Sequence, residues 1–279
     1  MQTYILTAVL VLAALSVALN LYLVRKVQWV FRLSDRLKRS TDRKFRQLFR
    51  QMQILGALQQ DLDFRESLPP AGGKAASADF LKVLADHVLH AKPEVVVECG
   101  SGLSTLVIAR CLQLNGKGHV FSLEHMEQFG QQTRKELDRH GLGEWASVLD
   151  APLDPYDFHG RKFYWYRVGA LPASPIDLLI VDGPPARTGS SPRYPAGPVL
   201  FPRISPCGAV FIDDAGRPEE LSVIADWRQE FPQLDFQTNI DDFEKGICIA
   251  RTTEAPGRSD AEAMAADTST PVSPVRQSG

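Results

Sequence analysis

Between residues 95 and 250, short apolar runs rich in Val and Ile alternate with stretches long enough for helices, and this alternation limits the possible folds more than any other feature. The runs fall at 95–98, 120–123, 146–149, 176–181, 209–212 and 246–250, with helical stretches at 104–114, 128–140 and 218–230. Strands that alternate with helices pack as a mostly parallel sheet covered on both faces, because each crossover helix carries the chain back to the start of the next strand. The expected fold class is therefore α/β, a doubly wound, mostly parallel Rossmann-like sheet. Such sheets take ligands outside the carboxyl ends of their strands, where strand order reverses, so the residues that end each strand are the candidates for chemistry.

A different kind of sequence precedes this domain. No residue from Met1 to Val24 is charged, and the run approaches the ~20 apolar residues that cross a bilayer as a helix. It reads as a transmembrane anchor over 1–24; a cleaved secretory signal is the weaker reading, since no Lys or Arg precedes the apolar run. From Arg25 to Arg50, ten Lys or Arg residues stand against Asp35 and Asp42. Positive charge is retained on the cytoplasmic side of a membrane, so the expected topology is single-pass, with the N-terminus outside and the catalytic domain cytoplasmic. The net charge of −2 for the whole chain hides this basic block. Its position beside a span points to anionic headgroups rather than nucleic acid.

Residues 25–66 form an expected juxtamembrane helix. Its apolar stripe Phe45, Leu48, Met52 and Leu55 suggests a short coiled coil joining a homodimer. The Pro- and Gly-rich segment 67–77 reads as a linker, 78–251 as the folded domain, and 252–279 as a disordered tail with little to bury. The four cysteines, Cys99, Cys111, Cys207 and Cys248, form no CxxC pair, which excludes the common zinc and disulfide frameworks and predicts buried reduced thiols.

The strand ends carry the chemistry. The first strand runs into Glu98-Cys99-Gly100-Ser101-Gly102-Leu103-Ser104, a turn in which glycines allow close approach of a ligand and a helix N-terminus offers free N–H groups. A dinucleotide fingerprint would place a third Gly at 105, where this chain has Thr105. The second strand ends in Glu124-His125, a carboxylate about 20 residues on, the spacing at which an acid meets ribose hydroxyls. Asp150 ends the third strand near the expected adenine position. Asp182, before Gly183-Pro184-Pro185, ends the fourth and is the leading catalytic candidate. Asp213 and Asp214 end the fifth; adjacent strand side chains face opposite ways, so one of them is expected to enter the site.

Between the fourth and fifth strands, Ala186 to Pro198 reads as a substrate-covering loop. Arg187, Arg193 and Tyr194 on it, with Arg217 beyond, are candidates to grip an anionic acceptor, or else the arginines pair with the nearby acids and fix the loop. The run Phe163-Tyr164-Trp165-Tyr166 reads as an extra strand that packs, shields or lines a pocket. His125 and His159 are alternative bases.

The series ECGSGLST, SLEHM, VDGPP, RYPAGP and FIDDAGR, in that order, resembles the class I S-adenosylmethionine-dependent methyltransferases, and among them the small-molecule O-methyltransferase-like group. The resemblance covers Asp79 to Arg251. It implies that Glu98, Gly100 and Gly102, with Ser101 and Ser104 in the same turn, hold the methionine part of S-adenosylmethionine. It places Glu124 and His125 at the ribose, and Asp182 near the sulfonium and the acceptor. In metal-dependent relatives, acids matching Asp182 and Asp213 or Asp214 bind a divalent cation such as Mg2+. Those enzymes usually show Asp-Asn after the fifth strand, where this chain has Asp213-Asp214. The implied function is O-methylation of a small-molecule, saccharide or lipid-linked acceptor at the cytoplasmic membrane face. An NAD-type oxidoreductase and a catalytically silent nucleotide-binding module are the alternatives.

Overall fold

The structure, a computed structural model, describes residues 1–72 and 75–253. The expected disordered tail therefore lies outside the described residues from position 254 onward. The described chain divides into two compact units between Ile54 and Leu55.

The helix α1 (Gln2–Asp61), 60 residues long, makes up the first unit as far as Ile54, and its last residues belong to the second. Nothing in its sequence interrupts it, as Gly56 is the only glycine and there is no proline. Its N-terminal part contains an 18-residue window of mean hydropathy 2.3 with none of that window buried, so in length and composition the helix suffices to cross a membrane. Leu6, Leu10, Leu15 and Leu19 are exposed there, as are Phe45, Leu48 and Met52 farther along.

The second unit contains α2 (Ala78–Ala91), β1 (Val95–Cys99), α3 (Leu103–Asn115), β2 (His119–Glu124), α4 (Glu127–Arg139), β3 (Ala146–Asp150), β4 (Leu153–Phe158), β5 (Arg161–Tyr166), β6 (Ile176–Val181), α5 (Ala196–Leu200), β7 (Ile204–Asp213), α6 (Pro218–Glu230), β8 (Leu234–Asn239) and β9 (Ile247–Thr252). Seven strands form one sheet in the order β3-β2-β1-β6-β7-β9-β8. The first five in that order run parallel, whereas β9 is antiparallel to both β7 and β8. The chain builds outward from β1 to β3, then returns to β6 on the other side of β1. The strand order reverses between β1 and β6, and the site opens at their carboxyl ends.

The central strands read as unbroken apolar runs because helices cover both faces. In β6, Leu178 and Ile180 join the core with α2 and α3, while Leu179 and Val181 face the other core with Trp227 of α6 and Trp165 of β5. Leu58, Leu62 and Phe64, which precede the residues assigned to the domain from sequence, are buried in the first of these cores. Two strands were not legible. β4 contains Pro155, which lacks a ladder donor, yet it pairs only with β5 in a separate two-stranded sheet, where an edge tolerates proline. β8 is a polar alternation at the rim of the large sheet, with Leu234 and Phe236 buried. Cys99, Cys111 and Cys248 are buried free thiols, whereas Cys207 near the start of β7 is exposed.

His87 of α2 lies against Phe211, with ring centroids 4.9 Å apart. Burial, reinforced by Arg251 and His90, pulls its pKa from 6.5 down to about 4. The unfolded chain then takes up this proton near pH 6.5 and the folded one only near pH 4, so stability present above pH 6.5 is lost as the pH falls through that window. The loss is on the order of 2 kcal/mol for a depression of this size. His87→Leu should flatten the fall in thermal midpoint between pH 7 and 4.5; parallel profiles for variant and wild type would refute the assignment.

Candidate active site

The turn after β1 is fixed from below by a buried carboxyl. Glu98 is 1% exposed, and its Oε2 accepts hydrogen bonds from Thr105 Oγ1 at 2.6 Å and Ser122 Oγ at 2.7 Å. Thr105 Oγ1 in turn accepts the Gly102 N–H at 3.0 Å. Burial pushes the Glu98 pKa up to about 7, against the hydroxyls of Ser104, Ser122 and Thr105, which favour the charged form. Glu98 was expected to face a ligand; it works inside the protein instead, tying β1, β2 and α3 together beneath the turn. Gly100 has φ 118°, a conformation that favours glycine. Its N–H donates to Leu123 O of β2 at 2.9 Å.

At the end of β2, Glu124 Oε2 accepts the Ser101 hydroxyl at 3.0 Å and Oε1 accepts the Met126 N–H at 2.9 Å. His125 Nδ1 lies 3.3 Å from Glu124 Oε1. Burial alone would raise the Glu124 pKa, but the bonds from His125, Met126 and Ser101 outweigh it and lower the value, holding a carboxylate. Glu124 and His125 border a cleft of about 450 Å3 lined also by Glu127, Gln131, Arg134, Asp150, Ala151 and Pro152. Asp150 is exposed and paired with Arg134. Arg134, which also donates to Val148 O at 2.7 Å, carried no distinguishing signal in the sequence.

Beyond the turn, the Asp182 N–H donates to Cys99 O at 3.3 Å, which joins the end of β6 to that of β1. The Gly183 that follows packs so closely that a β-carbon there would strike the Tyr166 hydroxyl and crowd Cys99 O. The aromatic run of β5 thus reaches the site through Tyr166, whose ring also meets His125 edge-on at 5.8 Å. His159, at the tip between β4 and β5, is not among the residues of the cleft.

Three acids converge at the ends of β6 and β7: ligand oxygens of Asp182, Asp213 and Asp214 lie within 4.8 Å of one another. Both adjacent aspartates therefore enter the site, because Asp214 leaves the strand with φ 61° and turns back, which overrides the alternation expected of a strand. Burial pushes the Asp182 and Asp213 carboxyls up, Asp213 to about 8, and mutual repulsion among the acids adds to it. Asp182 keeps 25% of its side chain exposed.

The loop arginines separate sharply. Arg193 is 3% exposed. Its Nη2 lies 2.8 Å from Asp214 Oδ2 and 3.2 Å from Asp182 Oδ1 and also donates to Asp182 O, while Nη1 donates to Asp213 O at 2.7 Å. Arg193 and Tyr194 were expected to meet an acceptor; both are buried, and the Tyr194 hydroxyl donates to Glu230 at 2.7 Å. Arg217 is half exposed and pairs with Asp214 at 2.9 Å. Arg187 is exposed and reaches Met126 Sδ at 3.2 Å.

The acid cluster was also expected to hold a divalent cation. Both carboxylate oxygens of Asp213 and Oδ1 of Asp214 are buried without a hydrogen-bond partner, a donor set that an oxygen-preferring ion accepts. The guanidinium of Arg193, however, already occupies Asp182 and Asp214, two of the three ligands. With that cation in place the residues do not fit a resident metal ion.

The sheet order, its reversal point and the Gly-Ser-Gly turn define a doubly wound α/β domain. Residues 97–215 match the profile of a family described as a methyltransferase domain. The fold is shared with the SAH-bound methyltransferase PaMTH1 of Podospora anserina, at 16% identity and a TM-score of 0.50, covering 72% of this chain and 88% of that one. An O-methyltransferase from Bacillus cereus in complex with SAH matches with the same TM-score at 15% identity, over 72% of this chain and 91% of that one. No curated protein matches the chain in sequence.

The contact between Gly183 and Tyr166 gives a direct test of how the hairpin and the site depend on each other. Gly183→Ala should cost about 1–3 kcal/mol through overpacking, and adding Tyr166→Phe, which removes the atom struck, should recover most of it in thermal melts. Additive losses in the double variant would show that the two positions do not interact.

Proposed function

We propose that the chain is a membrane-anchored O-methyltransferase, held by α1 with its domain on the cytoplasmic face, that acts on a small-molecule, saccharide or lipid-linked acceptor. The observation that carries this reading is the row of strand ends at the reversal point: the Gly100–Gly102 turn, Glu124 held as a carboxylate by Ser101, and the acids after β6 and β7 beside them. The uncharged stretch of α1 and the basic block after it support the anchor and its orientation.

S-adenosylmethionine supplies the methyl group on a sulfonium, already activated for displacement. What the protein contributes is alignment and a place for the acceptor's proton. The turn at Gly100 and Gly102 receives the methionine part, Glu124 accepts from the ribose hydroxyls, and the cleft of His125, Asp150, Ala151 and Pro152 takes the adenine. Asp182, the most exposed of the three acids, takes the proton as the acceptor oxygen forms its bond to carbon and the carbon–sulfur bond breaks. Arg217 and Arg187 stand at the rim, where an anionic acceptor would meet them.

Titration of the full chain in detergent with S-adenosylmethionine and with NAD tests the cofactor. Micromolar binding of the first alone, abolished in Gly100→Arg and Glu124→Ala, is the expected result; binding of NAD instead would replace the reading with an oxidoreductase, and binding of neither would favour a silent module. Once an acceptor is found, Asp182→Asn should lower kcat by about 10²–10⁴ with the affinity for S-adenosylmethionine unchanged. An unaltered kcat would remove Asp182 from the proton transfer.

A further inference from the structure

Every acid at the ends of β6 and β7 has a position relative to one group, the guanidinium of Arg193. Asp214 Oδ2 and Asp182 Oδ1 lie 2.8 and 3.2 Å from Nη2, and Glu220 Oε1 of α6 lies 3.5 Å from Nε. Nη2 and Nη1 also donate to the carbonyl oxygens of Asp182 and Asp213, while Nε, beside Glu220, makes no hydrogen bond. The planar fork of an arginine suits such a set, and its proton is never given up. Burial would disfavour its charge, but the surrounding acids hold its pKa above the ordinary arginine value.

We propose that Arg193 is the resident cation of this acid cluster: it occupies the place a divalent ion would take among Asp182, Asp213 and Asp214, and the wild-type site binds no such ion. Three observations carry this. The guanidinium is buried with its partners rather than lying at the rim, so it is part of the site's charge balance and not a solvent-exposed pair. It engages both Asp182 and Asp214, leaving a metal ion no aspartate pair free of a cation. The oxygens it leaves unbonded, Oδ1 and Oδ2 of Asp213 and Oδ1 of Asp214, are buried, and they belong to carboxylates that converge within 4.8 Å of one another and of Asp182. They are what an ion would coordinate if the guanidinium were gone. Because Arg193 lies on the 186–198 loop, the same contacts also tie that loop to the strand ends.

The proposal goes beyond the methyl-transfer reading and is tested without it. The full chain in detergent is titrated with Mn2+, followed by the electron paramagnetic resonance of the free ion, for wild type, Asp213→Asn, Arg193→Met, Arg193→Lys and Arg193→Met/Asp213→Asn; wild type is also melted with and without EDTA. Wild type and Arg193→Lys should bind no stoichiometric Mn2+, and EDTA should leave the wild-type melting point in place. Arg193→Met should gain one Mn2+ per chain and lose it again when Asp213→Asn is added. One Mn2+ bound by wild type and removed by Asp213→Asn, or a melting point lowered by EDTA, would overturn the proposal, as would a folded Arg193→Met that binds nothing. Should Arg193→Met fail to fold, the wild-type titration and the EDTA melt decide the matter.

Discussion

A carboxyl group closed off from water sits where β1, β2 and α3 meet, and the rest of the site depends on how it is satisfied. Glu98 is held by hydroxyls from two other elements, and one of these, Thr105, passes the constraint on to the Gly102 amide. A buried polar group of this kind is costly when left unpaired, so the strands, the helix and the turn hold one another in a single arrangement. The ligand-facing turn is thus shaped by a network that lies beneath it. Thr105 stands where a dinucleotide fingerprint would have glycine, and here its side chain is a working part of that network.

On the other side of the reversal point the organising principle changes from hydrogen bonding by hydroxyls to charge balance. Four carboxyls, those of Asp182, Asp213, Asp214 and Glu220, gather round Arg193, with Arg217 adding a second cation at the edge. The two halves touch through the Asp182 N–H on Cys99 O and through the Coulomb effect of Asp182 on Glu98. A change of charge in the acid cluster is therefore felt at the Gly-rich turn after β1.

Much of this was legible in the chain. The central strands were readable because burial on both faces makes them continuous apolar runs, and the turn after β1 because its backbone at Gly100 adopts a conformation that favours glycine. What could not be read was the fate of residues of one type in one loop. Arg187 and Arg193 look alike in sequence, yet one is exposed and the other buried among acids. Glu98 likewise gave no sign that it would turn inward, since its partners at 105 and 122 are brought together only by the fold. The hairpin strand β4 was hidden by Pro155, and the start of the domain by a helix that continues without a break through Leu58.

The β4–β5 hairpin is joined to the main sheet only by chain and side chains, because its two strands pair with each other alone. Phe163, Trp165 and Tyr166 of this hairpin are buried and must be kept, while Tyr164 between them is open to solvent. Residues on the outer face and at the tip can therefore vary in kind and number without shifting the register of a single strand in the seven-stranded sheet. Such an arrangement separates what evolution must conserve for folding from what it is free to rewrite, and puts the rewritable part on an element whose root, Tyr166, packs against Gly183 at the end of β6.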